Sequence, residues 1–407
     1  MAVADQPPRP LTPDAAGSSF MPQTGRPGPG RRRRRLTGGR ALAIDHSLVV
    51  FPVLVTLYLF LKYYSAHQIA VDFHHDFWVA GLRVRDGSSP YDWSRHQIVE
   101  LFGFPYPAPA ALLFVPFSLI PRGVSDLVFV ALLLASCLVA LRLLNVRDWR
   151  LYMIVLLWWP VINAWQTGNV TLLLVCGTAA AWRYRDSPVV AAVLTALMIS
   201  LKPIVWPVVL WLLVTRRFRA AAYAVAFALA LNAIAWAVVG FGQLANWWHL
   251  LAIQTDLLYR QGYGLIALAA HLGLGRTDGT VLEYLATAAL ALACLRLGKQ
   301  GRDRGAFTLA VALMLVSSPR VDNHYFALLI VPLAIARPYL SRAWLPPLVL
   351  WLCPATGVAG WQLALAWVTL GALTFWLIRQ DGVGAASAAC RRSAAARPNQ
   401  HMSAANA

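Results

Sequence analysis

Acidic side chains are scarce in this chain: 17 of its 407 residues are Asp or Glu, and charged residues of both signs make up only 13%. A soluble domain carries about 25%, so there are too few charged side chains to cover a surface that faces water. The five cysteines show neither CxxC nor zinc-type spacing, so neither a metal site nor a disulfide framework is implied. Cys137, Cys176, Cys294 and Cys353 lie in or at the ends of apolar segments, where thiols act as small apolar fillers. No glycine-rich nucleotide loop and no internal repeat is visible. A cleavable leader is not expected either, because the first apolar run begins near Ala41 with no small-residue cleavage site after it.

What is present is apolar. Hydrophobic residues make up 59% of the chain, with 17 tryptophans, and apolar runs recur from 47 to 378 between short Arg-rich connections. Since roughly 20 apolar residues span a bilayer as a helix, the sequence predicts an all-α polytopic membrane protein. The net charge of +18 comes largely from arginines at segment ends, among them Arg142, Arg183, Arg216, Arg296, Arg337 and Arg379. That is the positive-inside pattern of cytoplasmic loops, and a nucleic-acid partner is not expected. Residues 1–40, with Arg31 to Arg35, read as a disordered basic cytoplasmic tail. A transmembrane domain is expected over 41–380 and a disordered C-terminal tail over 381–407.

Threaded from the inside, segment 47–63 crosses outward and leaves 64–105 on the far side. Segments 123–144, 151–165, 169–183, 187–201, 203–215, 219–240, 278–297, 305–319, 324–337, 343–356 and 359–378 then bring the total to about twelve crossings, both termini inside. Two apolar pieces break the parity, proline-rich 106–121 and glycine-containing 262–274. Either suits a re-entrant element lining a protein cavity.

On this threading the outer face gathers the polar residues that orientation does not explain. The loop 64–105 alone holds Asp72, Asp76, Asp86, Asp92 and Glu100. His74, His75, Gln166, Asn169, Lys202, Gln254, Asp256, Gln261, Arg320, Asp322, Asn323 and His324 join them. Ionisable groups at a membrane boundary are expensive and are functional by default. Their convergence predicts an extracytoplasmic site.

Asp72 and Asp76 are one helical turn apart and can share a face. A carboxylate at the mouth of an apolar cavity has a raised pKa and suits a general base, although either residue can instead cap a juxtamembrane helix. Asp72-Phe-His-His-Asp76 also resembles a metal cluster, but His74 and His75 diverge by about 100° on a helix and no fourth ligand is evident, so no metal is expected. Gln166-Thr-Gly-Asn169 is either a plain turn or the end of a cavity wall that reads hydroxyls. Lys202-Pro203 breaks an apolar run, and the lysine either snorkels to the interface or meets an anionic group such as a phosphate. In Arg320-Val-Asp-Asn-His-Tyr325, Arg320 and Asp322 can form a local ion pair, while His324 is a candidate phosphate or sugar ligand.

In this order the motifs resemble family 87 of the glycosyltransferases. They are Asp72-Phe, Gly87-Ser-Ser-Pro-Tyr91, Phe104-Pro-Tyr-Pro-Ala-Pro109, Leu112-Leu-Phe-Val-Pro116, Gln166-Thr-Gly-Asn169, Lys202-Pro203 and Ser318-Pro-Arg-Val-Asp-Asn-His-Tyr325. The resemblance covers roughly 47 to 378. It implies a GT-C-like fold with juxtamembrane helices in the first extracytoplasmic loop, in the plasma membrane. It further implies transfer of a sugar, mannose first, from a polyprenyl-phosphate donor to a lipid or glycan acceptor, with inversion; no cofactor is expected. Asp72 then takes the place of the catalytic base. Asp76, His75, Gln166, Asn169, Lys202, Arg320, His324 and Tyr325 are the expected substrate-binding residues. Arabinofuranose on the same carrier is the alternative sugar. A lipid-linked sugar flippase is the alternative class, but that class needs matched polar sites in two repeated halves.

Overall fold

In a computed structural model the described residues are 38–99, 103–355 and 357–395. The expected N-terminal tail falls almost wholly outside them, as do residues 396–407. The chain divides into two units, Met1–Ile44 and Asp45–Ala407. Of the first, only the opening residues of helix Gly38–Ser65 are described, and all other described elements belong to the second.

Every described element is helical, with no strand among the described residues. Among the described residues, four helices are long and apolar enough to cross a membrane: Arg122–Leu143, Phe218–Val239, Arg276–Lys299 and the Gly360–Gly382 part of the last helix. Six shorter apolar helices, such as Thr171–Arg183 and Pro188–Leu201, are packed with them. Phe218–Val239 and Arg276–Lys299 bury only 22% and 17% of their most apolar stretch. Leu229, Ile234, Val238, Tyr284 and Leu285 consequently face outward, an arrangement that suits lipid and not water.

Proline sets several breaks. Pro160 opens helix Trp159–Thr167 and separates it from Trp149–Leu156, so the expected segment 151–165 is two short helices. The expected segment 343–356 is two 3₁₀ turns, Arg342–Trp344 and Pro346–Leu352, because adjacent Pro346 and Pro347 remove amide donors from an α-helix. The proline-rich stretch 106–121 forms helix Ala108–Phe114 and a 3₁₀ turn Pro116–Leu119. The last helix runs Gly360–Ala395, past residue 381 where the sequence places the start of a tail.

The ends of the helices sort by chemistry. Three connections expected on the cytoplasmic side meet at Asp303, which receives Arg217 at 3.0 Å and Arg185 at 3.3 Å. Helices Thr171–Arg183, Pro188–Leu201, Pro207–Val214 and Asp303–Val316 each have one end near this cluster. Their other ends carry Asn169, Lys202 and the segment before Arg320. At 1.5 Å per residue, a 14-residue helix such as Pro188–Leu201 separates the two ends by about 20 Å.

Candidate active site

The loop after the first helix folds into a π-helical turn, Phe73–Phe77, followed by helix Trp78–Arg85. A π-turn widens the backbone by one residue and recurs at functional sites. Here Phe73 anchors it, stacking on Phe129 at 4.3 Å and meeting Phe114 and Phe117 edge-on at 5.8 and 5.5 Å. With the ring fixed inward, Asp72 and Asp76 both face a cavity of about 400 Å³, within the size range of small-molecule sites.

Asp72 is oriented by the Gln166–Asn169 turn. Ala70 N–H donates to the Gln166 carbonyl at 2.6 Å, and Gln166 Nε2 donates to the Gln68 carbonyl at 2.8 Å. Gly168 sits at φ +70°, and a Cβ there would lie 2.8 Å from Phe73 Cβ and 2.9 Å from Ala70 Cα. Only glycine permits both that left-handed conformation and that approach. The turn thereby places Asn169 so that its Nδ2 donates to Asp72 Oδ2 at 2.9 Å, while Thr171 holds Asn169 Oδ1 at 3.0 Å. Asp72 Oδ1 has no hydrogen-bond partner among the described residues and is left to the cavity.

Lys202 reaches the same cavity from the tip of a helical hairpin. Pro203 forces it out of helical conformation, to φ −153° and ψ 112°. Its Nζ donates to Tyr106 Oη at 3.2 Å and stands 3.9 Å from the Tyr325 ring centroid and 5.0 Å from that of Tyr106. The third contribution comes from Arg320, paired with Asp322 at 3.3 Å. A fourth wall is helix Gln243–Leu258, which presents Trp247, Trp248 and Gln254.

Burial acts on the charges of this cavity in opposite directions. It raises the Asp72 carboxyl to about 6, against the hydrogen bond from Asn169 that favours the anion. Asp76 is driven well above the carboxylate range by burial and by the nearby Asp72, although Gly103 N–H donates to its Oδ1 at 2.8 Å. Burial lowers Lys202 to about 7 against the pull of Asp322 and Asp72. Burial would raise Asp322, but Arg320, His324 and Lys202 together outweigh it and hold the carboxylate below its usual range. The result is two carboxyls raised by burial and two basic side chains, all facing a common space.

Of the residues singled out by sequence, Asp72, Asp76, Asn169, Lys202, Gln254, Arg320, Asp322 and Tyr325 line the cavity. Gln166, His75 and His324 do not. Gln166 is committed to the backbone of the first loop. His75 sits half-buried with its ring 4.8 Å from that of His74. His324 is buried beside Asn163, with Nδ1 3.3 Å from Asn163 Oδ1. Tyr106, Trp247, Trp248 and Tyr259 also line the cavity, and nothing in their residue type marks them as site residues. Aromatic side chains inside apolar segments carry no anomaly, and only the proline frame around Tyr106 marks its surroundings as irregular. Within 72–76, His74 turns to Asp126 and Asp76 to Gly103.

A family model for glycosyltransferase family 87 matches residues 104–319, more than half of the chain. No curated protein and no solved structure matches.

Proposed function

The chain belongs to glycosyltransferase family 87 and is a membrane-embedded glycosyltransferase; from that premise we propose that it moves mannose from a polyprenyl-phosphate donor to a lipid or glycan acceptor on the extracytoplasmic face of the plasma membrane. The observation that carries this reading is the shared cavity: a half-buried carboxylate oriented through one oxygen, opposite Lys202 and Arg320. In this reading about twelve crossings form a GT-C-like bundle, the shorter apolar helices joining the four long ones.

The chemistry is a single displacement. Asp72 Oδ1 takes the proton of the acceptor hydroxyl as that oxygen attacks the anomeric carbon from the face opposite the phosphate. The bond from carbon to phosphate oxygen breaks, the configuration inverts, and polyprenyl phosphate leaves with the electron pair. Lys202 and Arg320 stabilise the phosphate charge as it grows. General-base assistance contributes about 10² to 10⁴ in rate. Burial and Asp72 push the Asp76 carboxyl well above its usual range, which disfavours a second negative charge beside the departing phosphate.

The donor is tested in membranes containing the full chain by supplying radiolabelled polyprenyl-phosphate mannose, polyprenyl-phosphate arabinofuranose or a nucleotide sugar with extracted envelope lipids. Transfer from the mannose carrier is expected. Transfer from the arabinose carrier alone would replace the sugar, and transfer from the nucleotide sugar alone would remove the lipid-linked donor from the proposal.

A further inference from the structure

Behind the π-turn, away from the cavity, lies a second polar contact that the reaction itself does not use. Asp126, one turn into the long apolar helix Arg122–Leu143, is only 6% exposed. Its Oδ2 lies 2.6 Å from His74 Nδ1, and its Oδ1 has no hydrogen-bond partner among the described residues. A carboxylate in an apolar helix with one partner is a costly feature and calls for a reason. The N-terminal end of the helix favours an anion there, but does not require one.

The partner explains it. An ionised carboxylate only accepts, so Nδ1 of His74 carries the proton. His74 is the second residue of the π-turn, which Asp72 immediately precedes and which contains Asp76. Arg122, on the same helix as Asp126, donates through Nε and Nη2 to the His74 carbonyl at 3.0 and 2.5 Å. Its guanidinium lies 4.9 Å from the Trp78 ring at the end of the turn. Phe73 stacks on Phe129, again on this helix. Backbone, ring and imidazole are all fixed to one rigid element, the backbone and the imidazole by directional hydrogen bonds.

We propose that His74 and Asp126 are positioning residues: their hydrogen bond fixes the rotation of the π-turn and so aims Asp72 at the acceptor hydroxyl. This rests on the reading of Asp72 as the base. Losing the contact leaves the donor cavity intact but lets the carboxylate wander, and a misplacement of about 1 Å can cost about a hundredfold in rate.

The test compares His74→Leu, His74→Asn, Asp126→Ala and the double variant His74→Leu/Asp126→Ala in the full-length chain, measuring kcat, donor KM and thermal stability in detergent. Asparagine places an amide N–H where Nδ1 was. We expect His74→Leu and Asp126→Ala each to lower kcat about ten- to a hundredfold, with donor KM within about twofold. His74→Asn should restore most of the loss, and the double variant should be no worse than the poorer single one. The proposal is overturned if kcat per folded molecule is unchanged while thermal stability falls, if His74→Asn is as impaired as His74→Leu, or if the two single losses multiply. Absence of transfer by the wild type would instead count against the glycosyl-transfer reading itself.

Discussion

At the scale of single residues, the cavity pairs an acid raised to about 6, Asp72, with an amine lowered to about 7, Lys202. The base acts only when ionised, so kcat/KM should rise as pH passes about 6. The cation stabilises the leaving phosphate only when protonated, so the rate should fall again as pH passes about 7. A narrow bell between these limbs is the expected profile. In Lys202→Arg the side chain stays charged throughout the range, so the alkaline limb should disappear even though the wider guanidinium fits poorly between Tyr106 and Tyr325. An unchanged alkaline limb in that variant would remove Lys202 from the charge balance. These residues were legible in the sequence because Asp72, Lys202 and Arg320 interrupt or border apolar runs where a charge needs a reason. Tyr106 and Trp248 were not, since an aromatic residue in an apolar stretch needs none.

At the scale of elements, the site depends on two loops docking without a gap. Gly168 is where they touch, and Gly168→Ala adds both left-handed strain, about 1–2 kcal/mol, and a clash with Phe73 and Ala70. Gly87 has a similar φ of +72° with nothing within 4 Å, so Gly87→Ala carries the strain alone. Activity and thermal stability should fall further in Gly168→Ala than in Gly87→Ala; equal losses would mean that the close approach contributes nothing. Phe73→Ala empties the aromatic pocket against Phe114, Phe117 and Phe129 and should destabilise the protein by about 3–5 kcal/mol, read as a lower Tm in detergent. The sequence pattern reached these elements only in part. Gln166-Thr-Gly-Asn169 stood out as a polar break between apolar helices. The π-turn did not, because hydrophobic periodicity follows i to i+4 contacts and gives no sign of an inserted residue. The pairing of His74 with Asp126, 52 positions apart, is likewise invisible in a linear pattern.

At the scale of the whole molecule, composition and arginine placement were enough to identify a helical membrane protein with its polar residues gathered at one end. The four long apolar helices and the meeting of Arg185 and Arg217 at Asp303 follow the same logic of basic connections on one side. Helix count was less legible, because proline divides several apolar segments into pieces shorter than a bilayer. The proposed orientation puts exposed Ser88 outside and exposed Gln300 inside. In intact cells, with the five native cysteines replaced, a membrane-impermeant maleimide should label Ser88→Cys and spare Gln300→Cys until the membrane is opened; the reverse pattern would invert the protein. The central claim, that Asp72 is the base of a glycosyl transfer, is tested most directly by mannose transfer in membranes carrying wild type or Asp72→Asn at equal abundance. The prediction is transfer by the wild type and a loss of at least about a hundredfold in the variant. Transfer by Asp72→Asn at the wild-type rate would contradict it.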